Sequence, residues 1–349
     1  MTAALDLASG EFRSLRREGQ RLIARRLTAA YTILEDTVST RRLLDNGKFP
    51  YSQVSDSLIV VGNAAEEVSR LLSKPLIPLL NHGEIDEQDP VSRQVCAWMI
   101  DLLLPLTNQP NALCLMTCPR GDSQEQASDN WTAQFLEHIV QLQGYDTMIM
   151  PPATPLALSE LEETGFTGVG LVFGAEMISF SLLHHSRPIV EVRFKKGYSE
   201  LLERYCQTHQ KLRWDSAGNS YLDLEGIESW MASGEMSFSS PSSAGESWLR
   251  DACTELLLSA WFSFKRKILN CHESYLNAAL PIAISGMPAM IPGFQEVVRE
   301  SLLLSGVPIR PSVIRSAAFE PFSVARGLYL QGELQAGSPF PARFEVDAA

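Results

Sequence analysis

Cysteine is scarce in this chain, with six in 349 residues: Cys96, Cys114, Cys118, Cys206, Cys253 and Cys271. Cys114 and Cys118 stand four apart instead of at C-x-x-C spacing and no His-rich partner follows, which argues against structural zinc; the thiols are too sparse for a disulfide scaffold. Bases are outnumbered as well, 29 against 41 acids, for a formal charge of −12. So acidic a chain is a poor general binder of nucleic acid, and none is expected as a partner. Long apolar runs are missing: AWMIDLLLPL and ACTELLLSAWF are broken by Asp101 and Glu255, well short of the ~20 residues of a membrane helix. The opening MTAALDLASGEFRSLRR carries its bases after the apolar stretch, the reverse of a signal peptide. No G-x-x-x-x-G-K-[ST] loop and no G-x-S-x-G elbow occur; GESWL around Ser247 lies in a serine-rich stretch. These absences predict a soluble, cytoplasmic protein without direct membrane insertion.

What is present is ample apolar material, 45% of residues against 20% charged. That suits a sizeable core, and the length suits two domains at roughly 100–200 residues each. ALDLASGEFRSLRR and QRLIARRLT read as two strands around a turn at Glu18-Gly19-Gln20. Arg13, Arg16, Arg17, Arg21, Arg25 and Arg26 decorate this hairpin, as an anion-binding patch or as the solvated face of two strands. Residues 57–61 read as a strand, followed by a Gly-Asn turn and a helix with Ala65, Val68, Leu71 and Leu72 on one face. NALCLMTCP with QASDNWTAQFLEHIVQLQG is a second strand–helix pair, and YDTMIMPP a third strand running into the proline-rich PPATPLALSEL. Alternating strands and helices point to α/β units on a sheet.

The second half restarts with strands at 168–173, 177–184 and 188–195, then a helix, SELLERYCQTHQKL. Serine and glycine dominate 213–247, which predicts a flexible insertion or subdomain tip. WLRDACTELLLSAWFSFKRKIL is a strong helix. PIAISGMPAMIPGFQEVVRESLLLSG reads strand, glycine-bearing loop and helix, with Phe294, Val297, Val298, Ser301 and Leu302 on the buried face. Both halves therefore open with a β-meander and continue with strand–helix units. His184-His185 reads as a surface turn pair, and His82 beside Glu84 has no nucleophile in view.

The segment AISGMPAMIPGFQEVV (283–298) is the strongest local feature. Glycine between a strand and a helix lets backbone approach a ligand, and a helix N-terminus favours anions; an ordinary strand-to-helix turn needs the same residues. The segment resembles the adenosine-binding loop of the actin, heat-shock-chaperone and sugar-kinase superfamily, in particular of MreB-type bacterial actins, keeping Gly286, Ala289 and Gly293. Four other segments resemble that family in the same order. ALDLASG (4–10) is similar to the first phosphate loop, with Asp6 retained, Ala8 at the glycine and Ser9 at the threonine. LIVVGNAAEEV with PLIPLLNHGEI (75–85) resembles the MreB stretch from VG-x-x-A to a P-L-x-x-G-x-I turn, and LCLMTCPRGDSQEQ with its helix, then YDTMIMPPATPLAL, resembles the strand–helix–strand leading to the interdomain connector. AFEPFSVARGLYLQG (318–332) resembles the C-terminal helix through Pro321, Ala325 and Gly327.

The resemblance implies an α/β fold of duplicated actin-like (ribonuclease H-like) domains, each on a mixed five-stranded sheet, around a central nucleotide cleft. Domain I is expected over 1–157 plus 320–349 and domain II over 158–319, with 195–260 as its smaller subdomain. The implied cofactor is ATP with Mg2+. Asp6 is the implied metal and catalytic acid, and Ala8, Ser9, Gly10, Gly174, Ala175, Gly286, Met287, Pro288 and Gly293 are the implied cofactor contacts. Two departures bear on function. The second phosphate loop reads Val172-Phe173-Gly174-Ala175-Glu176-Met177-Ile178, with valine at the metal-binding acid and the Glu176 carboxylate where a glycine faces phosphate. At ~4 Å that repulsion is about 4 kcal/mol at an effective dielectric of ~20. Pro151-Pro152 replaces the acid–proline pair that orients attacking water, and proline is no base. The expectation is a divergent MreB-like cytoskeletal or scaffold protein, self-associating or holding a protein partner, with weak or absent ATP hydrolysis. The alternatives are an ATPase using Glu176 in an unfamiliar catalytic role, and a non-polymerising adaptor resembling the FtsA and PilM branch.

Overall fold

The computed structural model describes residues 1–19, 21–119, 131–214, 218, 220–270, 275–276 and 278–336. Gln20 of the first turn, residues 120–130 of the second strand–helix pair, 215–217 and 219 of the serine-rich stretch, Cys271, and the last thirteen residues lie outside that set. Contacts divide the chain into two compact units, residues 1–150 with the C-terminal residues from 331, and residues 151–330.

The first unit opens with a meander: β1 (Thr2–Leu7), β2 (Glu11–Glu18) and β3 (Arg21–Thr28). Next come β4 (Ala30–Glu35), α1 (Val38–Gly47), β5 (Tyr51–Val54), β6 (Ser57–Val61), α2 (Gly62–Leu72) and β7 (Ile77–Pro78). These four strands form their own sheet in the order β5-β6-β4-β7. α3 (Pro90–Leu103), β8 (Leu113–Met116), α4 (Trp131–Leu142) and β9 (Asp146–Ile149) complete the unit. The main sheet runs β3-β2-β1-β8-β9, antiparallel through the meander and parallel from β1 to β9.

Helix α3 shows how sequence and sheet cooperate. Asp89 caps its start, accepting from the Val91 and Ser92 amides at 2.9 and 3.1 Å, and Pro90 takes the first position, where a missing N–H costs nothing. At the other end, Leu103 O accepts from Ser14 Oγ at 3.1 Å and Arg16 Nη1 at 3.0 Å, and Leu102 O from Arg25 Nη1 at 2.8 Å. Carbonyls at a helix C-terminus lack intrahelical donors and attract cations. Two of the six hairpin arginines therefore do structural work, and Arg16 is buried.

The second unit holds α5 (Ala153–Glu160), β10 (Gly168–Phe173), β11 (Ile178–His184), β12 (Arg187–Phe194) and α6 (Tyr198–Thr208). It continues with β13 (Leu212–Trp214), β14 (Ser220–Leu222), α7 (Leu224–Ala232), α8 (Ala244–Ile268), β15 (Leu280–Ser285), α9 (Phe294–Ser305) and β16 (Pro311–Ser316). α10 (Ser323–Ala336) carries the chain back to the first unit. The main sheet is β12-β11-β10-β15-β16, with the same pattern of antiparallel and parallel pairs as the first. Its core is aromatic: Phe180 lies 4.4 Å from Trp261 and 5.1 Å from Phe264 between ring centroids, and Trp261 Nε1 donates to Ser301 Oγ at 3.1 Å.

Several expectations need correction. ALDLASGEFRSLRR is two strands, not one, because the chain turns at Ala8-Ser9-Gly10. Leu71 is exposed; the rest of the expected face holds, with Ala65 and Val68 buried and Leu72 packed on the core, joined by Gly62 and Ser69. PPATPLALSEL is a helix whose eight residues are all buried; Pro152 and Pro155 sit before and in its first turn, where no i→i−4 bond is lost. Within the serine-rich stretch, Asp223 caps α7, and Ile227, Met231, Met236 and Phe238 enter the core.

Candidate functional site

In the first unit the candidate residues cluster where β1 ends. Asp6, the penultimate residue of β1, is 5% exposed, and it faces Arg13 directly across the β1–β2 pair. Arg13 Nη1 donates to Asp6 Oδ2 at 2.9 Å. Thr117 Oγ1 donates to Asp6 Oδ1 at 2.8 Å while accepting the Leu7 amide at 3.0 Å. Both carboxylate oxygens thus have donors from within the fold. The turn that follows is self-contained: the Ala8 amide bonds Glu11 O at 3.1 Å, and Gly10 O accepts from the Ala29 amide at 3.0 Å. Ala8 and Ser9 are half-buried and Gly10 is exposed.

In the second unit the equivalent turn, residues 174–177, joins β10 to β11. The Gly174 amide donates to Met177 O at 2.9 Å. The carbonyls of Gly174 and Ala175 accept from the Tyr198 and Ser199 amides, both at 3.0 Å, so this loop caps the first turn of α6. Glu176 Oε1 accepts from Ser199 Oγ at 3.0 Å, placing its carboxylate at the same helix N-terminus, where negative charge is favoured.

The glycine-bearing loop lies beside this turn, since β15 pairs with β10. Gly286 has φ 110, and a Cβ there would stand 2.1 Å from Phe173 O. Gly293 has φ 91, and its Cβ would stand 2.1 Å from the Ser239 amide nitrogen. The chain's own packing therefore requires both glycines. Met287 and Pro288 open a 3-10 turn ending at Met290; Pro288 is buried and Met287 packs on the core. The loops carrying Gly174–Glu176 and Gly286–Gly293 are thus brought together in the second unit, and Asp6 with Ala8–Gly10 in the first.

The pairing register equates positions in the two halves. Asp6 pairs with Arg13, and Val172, likewise penultimate in its strand, pairs with Ser179. Thr117 follows Met116, the partner of Leu5, as Ser285 follows Ile284, the partner of Leu171. The first half sets Asp6, Arg13 and Thr117 where the second sets Val172, Ser179 and Ser285. Ser179 Oγ is buried with no hydrogen-bond partner among the described residues, and Ser285 Oγ turns to Glu320. Val172, its register partner, offers that hydroxyl nothing to bond. Arg13 and Thr117 were not among the residues expected at the site. The Ser9-Gly10 dipeptide, a turn signal, was the clue that would have put Arg13 opposite Asp6.

The remaining candidates have other roles. The His184 and His185 rings lie 4.3 Å apart and tilted where β11 meets its turn, and the described residues contain no group of three or more His, Cys, Asp or Glu able to hold a metal. Glu84, Asp86, Glu87 and Trp131 line a depression in the first unit that includes none of the loop residues. Among the described residues no helix is long and apolar enough to cross a membrane.

A family model, Volactin, matches residues 1–331. The chain belongs to the Volactin family. It has an actin-like fold, seen in its similarity to solved structures. MamK in a double helical filament matches at TM-score 0.66 and 14% identity, over 95% of this chain and 99% of that one. MreB 5 of Spiroplasma citri bound to AMPPNP matches at 0.62 and 12%, over 96% and 97%. The apo psk41 ParM protein matches at 0.52 and 14%, over 96% and 98%. No curated protein sequence matches this chain.

Proposed function

We propose that this chain is a self-associating cytoskeletal or scaffold protein whose phosphate site is degenerate, so that it hydrolyses ATP weakly or not at all. The observation that carries the reading is Asp6, whose two oxygens are already bonded to Arg13 and Thr117. A magnesium ion held through a carboxylate, directly or through its water, needs one of those oxygens. In the second unit the position matching Asp6 is Val172, and the neighbouring turn carries the Glu176 carboxylate, which accepts from Ser199. Phosphoryl transfer depends almost wholly on positioned positive charge, and these donors do not fit a magnesium-bound polyphosphate. Self-association draws its support from relatives of the same fold, one of them named as a double helical filament.

The test is sedimentation of the purified chain with and without ATP and magnesium, with phosphate release followed in the same samples. Pelleting that ignores nucleotide, with no release above a no-protein control, is the expected result. Magnesium-dependent turnover lost in Asp6→Ala and impaired in Glu176→Ala would replace this reading with that of a working ATPase. A chain that stays in the supernatant under all conditions would point to a non-polymerising adaptor.

A further inference from the structure

Arg13 supplies one of the two side-chain donors that occupy the Asp6 carboxylate. Its guanidinium forms a fork between two acids, Nη1 to Asp6 Oδ2 at 2.9 Å and Nη2 to Glu11 Oε2 at 2.7 Å. The Asp6 and Arg13 side chains are 7% and 19% exposed, so the pair lies mostly out of water. A planar, permanently charged fork holds such a geometry better than a lysine would. Thr117 completes the arrangement, since its hydroxyl accepts from Leu7 N–H and so directs its own proton at Asp6 Oδ1. In the second half the same strand positions carry neither charge: Val172 stands for the acid and Ser179 for the arginine. Acid and base occur together in one half and are both missing from the other.

We infer that Arg13 is a built-in counter-ion in the cation position of the first loop, so that Asp6 recruits no divalent metal. This rests on reading residues 6–10 as a phosphate loop. A hydrated divalent cation approaching Asp6 meets a guanidinium already bonded to the same carboxylate, whose like charge opposes it at close range. Removing the positive charge at position 13 therefore exposes a cation site instead of merely deleting a contact.

The probe is Mn2+ alone, without nucleotide, on the full chain. In the wild type, paramagnetic broadening of backbone amides is expected to spare Leu7 and Thr117; selective broadening of those two overturns the inference, and this arm needs no variant. Arg13→Met and Arg13→Gln remove the charge, and glutamine keeps a donor for Asp6 where methionine disturbs folding. Each folded variant is expected to bind Mn2+ at least tenfold more tightly than the wild type, read from loss of the free-ion paramagnetic resonance signal. Arg13→Gln with Asp6→Asn should lose the gain. Folded Arg13 variants that titrate like the wild type also overturn the inference. No nucleotide is present, so tight ATP binding that defeats the proposed function leaves these outcomes to be read independently.

Discussion

The two halves share one strand order and one pattern of strand directions, yet treat the same polar position in opposite ways. In the first, the acid stays and is saturated: Asp6 is bonded to Arg13 and Thr117. In the second, the matching position is Val172, Ser179 Oγ has no partner among the described residues, and Ser285 turns to Glu320. A buried polar group is tolerated when every donor and acceptor is matched and is costly when one is stranded. The contrast shows one register position handled in two ways, as a matched acid and base in one half and as an uncharged pair in the other.

The largest effect should come from breaking the saturated half. Asp6→Ala strands Arg13 beside a cavity, and breaking a buried ion pair costs roughly 3–5 kcal/mol. The low end is expected, about 3 kcal/mol, because Arg13 is 19% exposed and keeps Glu11. It should appear as a lower urea midpoint at unchanged m. Next comes Gly286→Ala. The φ of 110 and the 2.1 Å approach to Phe173 O predict a loss of about 2–3 kcal/mol in the same assay, with no nucleotide present. A neutral outcome would show that this glycine serves something other than the fold.

The comparison sharpens with a matched pair of hydroxyl deletions. Thr117→Val leaves Asp6 Oδ1 and the Leu7 amide unpaired and should cost roughly 1–3 kcal/mol, whereas Ser179→Ala should be neutral or stabilising by up to about 1 kcal/mol. Equal losses at both would remove the asymmetry. The smallest effect concerns pH. Hydrogen bonds from the Ser242 hydroxyl and amide hold the Glu246 carboxyl below its ordinary value of 4.5, and Ser243 caps the same end of α8. Because the folded form binds its proton less readily than the unfolded form, this stabilisation is complete above that value and fades as acid drives the pH below it. Glu246→Gln should flatten the fall of Tm on acidification while leaving the neutral-pH response to nucleotide untouched.

Much of the fold was legible in the sequence. The strand at 168–173 and the buried face Phe294, Val297, Val298, Ser301 and Leu302 appear as periodicity predicts. The repeated meander with following strand–helix units is the pattern of both sheets. What escaped notice was short or judged by a different test. β4, α1 and β5 fill residues 30–54 with weakly apolar segments, and the apolar run within α3 was weighed only as a membrane span. At the site, Asp6, Gly286 and Glu176 could be picked out as residue types in a family order, but their partners could not. Asp6 meets Arg13 through antiparallel register and Thr117 through a parallel strand 111 positions on, and both depend on tertiary pairing.

The central claim is that the first loop is already neutralised from within. Calorimetric titration of the folded chain with ATP and magnesium tests it most directly. The account predicts no magnesium-dependent heat. Tight binding that requires magnesium and vanishes in Asp6→Asn would contradict it.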